Sequence, residues 1–149
     1  MKIIKPRSTA DIRESISLYY KIHDNTFIQP CVETLFKHLL QFARQGKFIR
    51  LKLDNDDKII AWIFAAKVQS YHSASPMFQQ MYYASSNKGI KAYRDVIDLH
   101  EEMIQEAKRL NIPMVISQGS HMDENNTFSR ILEKNGWDRR GHTALKRLD

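Results

Sequence analysis

The amino-acid sequence predicts a mixed α/β fold, one mostly antiparallel sheet with helices on both faces. Three observations carry that prediction. Apolar residues recur at three- and four-residue steps in four stretches, and alternate or run continuously over shorter stretches between them. Three of the strand-like stretches follow one another directly across polar connections, as in an antiparallel meander. The third is Gln79–Leu110, which reads as a strand, a turn with one glycine, and a long amphipathic helix. No Pro/Gly/Ser-rich linker interrupts the 149 residues, so a single domain over 1–149 is expected.

Lys2 to Lys5 is a short first strand closed by Pro6. Ser8 and Thr9 are N-cap candidates for a helix over Ala10–His23, with Ile12, Ile16, Tyr19, Tyr20 and His23 on its apolar stripe. A second helix presents Val32, Leu35, Phe36, Leu39, Leu40 and Ala43, and Gly46 lies beyond its end as a C-cap. The period then changes. In Phe48–Leu53, Ile49, Leu51 and Leu53 alternate with Arg50 and Lys52, the pattern of a half-buried strand. Asp54–Asp57 is a turn, Ile59–Val68 a more apolar strand, and Met77–Ala84 the third of the group. The turn is too short for a calcium loop and lacks its terminal Glu.

In the central helix, Tyr93, Val96, Ile97, His100, Met103, Ile104, Ala107 and Leu110 form the apolar stripe, with Asp95 and Asp98 among the charged residues opposite. Asn111-Ile112-Pro113 ends it, and Met114–Ser117 is a short buried strand. Asn125–Asn135 is a last helix stopped by Gly136, and Trp137–Arg140 and His142–Leu148 read as closing strands.

Composition excludes several classes. No apolar run approaches the ~20 residues of a membrane span. The start, MKIIKPRS, lacks the apolar core of a secretory signal, and Cys31 is alone, so a cytoplasmic protein without internal disulfides is expected. The formal charge of +6 suits an anionic ligand, but the basic residues are scattered, which disfavours a nucleic-acid face. The histidines and Cys31 show no metal-ligand spacing, so no metal site is expected. Ser117-x-Gly119-Ser120 lacks the nucleophile-elbow pattern and an arranged acid partner, and a hydrolase is rejected. His100, on the apolar stripe, reads as a core histidine ahead of a base.

A strand that feeds a helix through SSNKGIKA aims backbone N–H groups and the positive end of the helix dipole at whatever lies in front. That is a phosphate site in outline. With Asn125–Trp137, where Glu133, Lys134, Gly136 and Trp137 follow an amphipathic helix, the element order resembles the GNAT superfamily of acyl-CoA-dependent N-acyltransferases.

The resemblance implies acetyl-CoA as cofactor and an unidentified amine as acceptor. The loop that holds the coenzyme pyrophosphate in that family corresponds to Ser86–Ala92. Asn87, Lys88, Gly89, Ile90, Lys91, Ala92 and Arg94 are the candidate cofactor-binding residues there, with Asn125 on the pantetheine or phosphate region. A register set from the far end of the helix would put the motif on Lys91–Val96 instead. Only Gly89 supplies the glycines of the family loop; Lys88, Lys91 and Arg94 would add direct charge, and Ile90 or Tyr93 would crowd the approach.

His121, in SQGSHMDEN, is the candidate base for the acceptor amine, with Asp123 and Glu124 as alternatives. Leu132 stands where many members carry the tyrosine that protonates the leaving thiolate. Leucine has no such proton, and Tyr83, beside Tyr82, is the candidate in its place. The alternative is a GNAT fold kept as a structural or interaction module, for example a bacteriophage virion component, with a homo-oligomer or an assembly partner open in either case.

Overall fold

Strand β2 (Phe48–Leu53) and strand β3 (Ile59–Gln69) form the centre of the sheet, joined by a turn that Asp54 closes. The Asp54 carboxylate accepts from the backbone N–H of Asp56 and of Lys58, both at 2.9 Å. This is an Asx arrangement that sets the strand register. The computed structural model describes residues 2–22, 31–69, 74–117 and 127–138. Around the hairpin lie β1 (Lys2–Ile4), β4 (Pro76–Ser85) and β5 (Val115–Ser117), in the spatial order β1-β2-β3-β4-β5. Every pairing is antiparallel except β4 with β5, which is parallel.

Helices α1 (Thr9–Ile22) and α2 (Val32–Arg44) cover one face. Ser8 precedes α1 at the N-cap position. The Asp11 carboxylate, three residues on, accepts from the backbone N–H of Arg7 at 2.8 Å and from its guanidinium at 2.9 and 3.0 Å. Those bonds, with a backbone bond from Ser8, hold the Asp11 carboxyl below the usual carboxylate range despite its burial. At the end of α2, Gly46 takes φ 72°, and Lys47 N–H reaches back to Phe42 O at 2.9 Å, closing the helix. The core on this face joins Ile12, Ile16, Leu35 and Leu39 to Leu51, Leu53, Trp62 and Phe64.

Helices α3 (Ile90–Arg109) and α4 (Thr127–Lys134) cover the opposite face, where Leu99, Met103 and Ala107 pack on Phe48, Ala61, Ile63 and Phe78. The predicted fold class, a mixed and mostly antiparallel sheet with helices on both faces, is the one observed.

Two side-chain assignments need correction. Lys52 does not face solvent: α3 lies over its side of β2, so the strand is buried on both faces. Asp95 is not on the outer face of α3, where Leu99 and not Leu110 belongs to the buried stripe. The helix is rotated so that Asp95 meets Lys52. Of the predicted closing strands, Trp137 and Asp138 are described and lie in no strand; the remainder falls outside the described residues.

Candidate active site at the β4–β5 fork

Strands β4 and β5 pair over only three positions, Phe78 with Val115, Gln79 with Ile116 and Gln80 with Ser117. Directly after Gln80 comes a bulge, since Ala65 pairs with Gln80 and Phe64 with Tyr82, leaving Met81 over. A bulge bends its strand and strengthens the local twist. Among the described residues β4 therefore runs on to Ser85 with no strand on its β5 side. The result is a fork, with Gln80 and Ser117 at its root.

Strand β4 leads through Ser86–Gly89 into α3. Gly89 has φ 63° and ψ −137°, a conformation almost reserved for glycine. A Cβ at Gly89 would meet nothing within 4 Å, so the glycine is required by the backbone and the space in front is open. No side chain caps the helix. Its first backbone bond runs from Tyr93 N–H to Gly89 O, so the N–H groups of Ile90, Lys91 and Ala92 find no acceptor within the helix.

The first turn holds no acidic residue, while Lys88, Lys91 and Arg94 stand exposed around it. Free donors and the positive end of the dipole thus coincide with three exposed cations near the helix start. The strand-to-helix junction falls on Ser86–Ala92, and the alternative register, Lys91–Val96, lies wholly inside α3. Ile90 projects into solvent, and the Tyr93 hydroxyl is held toward α4, accepting from Asn135 Nδ2 at 2.9 Å.

Asp95 shapes this junction from inside. Its carboxylate accepts from Ser85 Oγ at 2.6 Å, Asn87 Nδ2 at 2.8 Å and the Lys52 ammonium at 2.8 Å. Ser85 Oγ in turn accepts from Asn87 N–H at 3.1 Å. Asn87 is therefore a brace for the loop, tied to the carboxylate behind it. Burial works to lower the Lys52 pKa, but the hydrogen bonds its ammonium donates to Asp95 and Asp98, with their negative charge, outweigh it and leave the pKa raised. Asp98 shares that ammonium at 2.9 Å from a half-exposed position.

At the root of the fork, His100 is buried and both ring nitrogens are engaged, Nδ1 with Val96 O at 2.8 Å and Nε2 with Ser117 Oγ at 2.9 Å. The Ser117 hydroxyl donates to Gln80 Oε1 at 3.1 Å. Burial pushes His100 down to about 4, so the ring is neutral at physiological pH. Tyr83 packs against it, ring centres 5.6 Å apart, and against Phe128 at 5.1 Å. The Tyr83 hydroxyl is enclosed, and burial raises its pKa, which makes it a weaker acid for a departing thiolate.

Tyr82 faces the other side of the sheet, stacked on Trp62. Leu132 is buried in α4. The candidate base His121, its alternatives Asp123 and Glu124, and Asn125 lie outside the described residues. Among the described residues, no group of three His, Cys, Asp or Glu side chains could hold a metal ion, and no helix is long and apolar enough to cross a membrane.

Sequence reasoning missed Asp95, Lys52 and the pairing of Ser117 with His100. Period two assigned Lys52 to solvent because nothing in the pattern says which strand face receives a helix. An Asp six residues after a turn glycine, with Ser and Asn just before that glycine, was the signal available for the brace. Ser117 had no partner in sequence, since His100 lies 17 residues earlier, on α3.

No protein-family model matches the chain, and no curated protein does. Solved structures do. The crystal structure of a probable acetyltransferase aligns over 100% of this chain and 97% of its own, with TM-score 0.74 and 14% identity. An aminoglycoside acetyltransferase from an uncultured soil metagenomic sample, in complex with sisomicin, aligns over 97% and 93%, with TM-score 0.67 and 16% identity. A GNAT family acetyltransferase of Staphylococcus aureus aligns over 99% and 100%, with TM-score 0.66 and 16% identity. Likeness at these identities shows the fold.

Proposed function

Taking the GNAT fold as the frame, we propose that this protein binds an acyl-coenzyme A, with acetyl-coenzyme A as the first candidate, and transfers the acyl group to an amine. The observation that carries the reading is the uncapped, cation-ringed start of α3 beside the β4–β5 fork. The pyrophosphate would take hydrogen bonds from the N–H groups of the first helical turn and charge from Lys88, Lys91 and Arg94. The pantetheine arm would enter the fork, where β4 lacks a neighbouring strand among the described residues. Backbone N–H groups on that edge of β4 would hold the oxyanion. Asn125 is assigned to the pantetheine or phosphate region. His121, Asp123 or Glu124 is assigned to proton removal from the acceptor ammonium. A cytoplasmic setting belongs to the same proposal, supported by the single cysteine.

A second reading, a fold retained as a structural module without catalysis, is favoured by one observation. Leu132 fills its place in the core and offers no proton to a leaving thiolate. The two readings part on coenzyme binding. Acetyl-coenzyme A at ~100 times its dissociation constant adds ~2.7 kcal/mol of stability, a visible rise in the melting midpoint. A rise, with matching heat on calorimetric titration, supports the transferase and licenses a screen of amines. No rise and no heat at millimolar coenzyme would sink it in favour of the module.

A further inference from the structure

The two faces of the fork differ in what they leave room for. On the α3/α4 face the root is filled, since His100 packs against Tyr83, Phe128 and Trp137 with ring centres 5.6, 5.2 and 5.7 Å away. An amine that meets a thioester in the fork therefore comes from the face of α1 and α2. Just past the bulge, β4 turns Tyr82 to that face, paired with Phe64 and nearly parallel to the Trp62 ring at 6.3 Å. The end of α1 adds Tyr19, at right angles to Tyr82 with centres 5.4 Å apart, and Tyr20, 5.5 Å from Tyr19. All three tyrosines are half-buried, so they form the rim of the core and not its interior. Behind them Trp62 is fully buried, and among the described residues its indole N–H has no acceptor. A core closed by its own side chains pairs such a donor.

The rim is also uncharged. Burial and the neighbouring phenols raise the Tyr19 hydroxyl to about 12 and raise that of Tyr82, and no carboxylate or cation among the described residues acts on either. Both stay neutral at physiological pH. Such a rim has no carboxylate for a second ammonium and no cation for an acceptor's carboxylate. The net charge of +6 disfavours a polycation further. Aromatic rings instead favour another ring, edge to face or offset.

We propose that Tyr19, Tyr20 and Tyr82 line the acceptor subsite, and that the acceptor is a primary amine carried on an aromatic body, an arylalkylamine. The inference rests on the acyltransferase reading. The acceptor ring packs on Tyr19 and Tyr82. Tyr82 stands two residues beyond Gln80, the last position paired with β5, at most about 7 Å along the strand. A tether of two or three carbons brings the nitrogen from that ring to the fork. There the neutral amine attacks the thioester directly. The carbon–nitrogen bond forms, the carbon–sulfur bond breaks, and the proton shed by nitrogen balances the thiolate as free coenzyme thiol.

The test measures release of coenzyme thiol by the full chain with saturating acetyl-coenzyme A and, in turn, 2-phenylethylamine, butylamine, putrescine and glycine. 2-Phenylethylamine is expected to be used best, with kcat/KM about tenfold above butylamine, which keeps the amine and an apolar chain but lacks the ring. Tyr82→Ala should raise the KM for 2-phenylethylamine about tenfold and leave calorimetric affinity for the coenzyme unchanged, and Tyr82→Phe, which keeps the ring, should behave as the unmodified chain. The ranking of amines is read on the unmodified chain and needs no variant to fold. Equal use of butylamine, preference for putrescine or glycine, or a Tyr82→Ala variant with unchanged KM overturns the aromatic subsite and leaves the transferase standing. Coenzyme binding with none of these amines acetylated overturns the subsite equally. Absence of coenzyme binding in the unmodified chain overturns both.

Discussion

On the face covered by α1 and α2, the sheet contributes Leu51, Leu53, Trp62 and Phe64, and packs them into apolar helix stripes and aromatic rings. On the face covered by α3 and α4, the same strands bury Lys52 and Gln80 beside Asp95 and His100. The first face is an ordinary core, with the Trp62 indole N–H as its one buried side-chain group lacking an acceptor among the described residues. The second buries a cation, two carboxamide or carboxylate groups and an imidazole, each of which is expensive unless satisfied. Those groups run from the loop before α3 to the root of the fork. Apolar packing alone would have served the fold there, and under the proposed acyltransferase reading this polar face holds the backbone for a ligand.

The difference is tested most severely by one truncation on each face. Leu51→Ala removes a fully buried side chain and should cost about 2–5 kcal/mol. Asp95→Ala should cost as much, about 3–5 kcal/mol, because it strands the buried Lys52 ammonium and frees Ser85 and Asn87. Denaturant unfolding gives both values. The two variants should separate on ligand: at a temperature where each is folded, Leu51→Ala keeps the affinity for acetyl-coenzyme A and Asp95→Ala loses it at least tenfold. Equal affinities would mean that the Asp95 brace has nothing to do with the coenzyme loop.

That contrast also explains what the sequence could reveal. Elements defined by period and punctuation were legible: the hairpin around Asp54–Asp57, the Gly46 cap, and the strand–turn–helix through Gly89 all stand within a residue or two of the predicted bounds. Periodicity reports which residues share a face of one element, and it is silent on how that element is rotated against the next. Lys52 and Asp95 are 43 positions apart in sequence and Ser117 and His100 are 17, and each pair forms only when α3 settles across β2 and β5. The candidate phosphate loop was readable because it is local. Its brace and the fork's polar root were not, because they are contacts between elements.

His100 gives the next largest effect. In the unfolded chain its pKa is near 6.5, and in the fold it is down at about 4. The unfolded state therefore binds a proton first as pH falls, and stability drops between pH 6.5 and pH 4. The full window is worth ~3 kcal/mol. Tyr83, the titratable ring packed on His100, stays protonated throughout, since burial raises it. Above pH 6.5 the term is fully present and flat. Urea unfolding at steps of pH should show this slope in the unmodified chain and a slope shallower by one proton in His100→Gln. Identical slopes would mean that the ring is less enclosed than its contacts with Phe128 and Trp137 require.

Gly89→Ala comes below that, at about 1–3 kcal/mol, from backbone conformation alone because the space around a new Cβ is open. Coenzyme affinity should fall by more than stability does, whereas a turn that matters only to the fold would show the reverse. The smallest effect is expected at Asp98, and it sharpens the meaning of burial most. Asp98 and Asp95 hold the same ammonium at nearly equal distance, 2.9 and 2.8 Å, yet their side chains are 50% and 2% exposed. Water screens the outer pair and solvates Asp98 whether or not Lys52 is near, so Asp98→Ala should cost no more than ~1 kcal/mol. The melting midpoint of Asp98→Ala should stay close to that of the unmodified chain while Asp95→Ala falls far below it. A comparable loss at both positions would show that Lys52 needs two carboxylates to remain charged, and that the polar face is held together as one network.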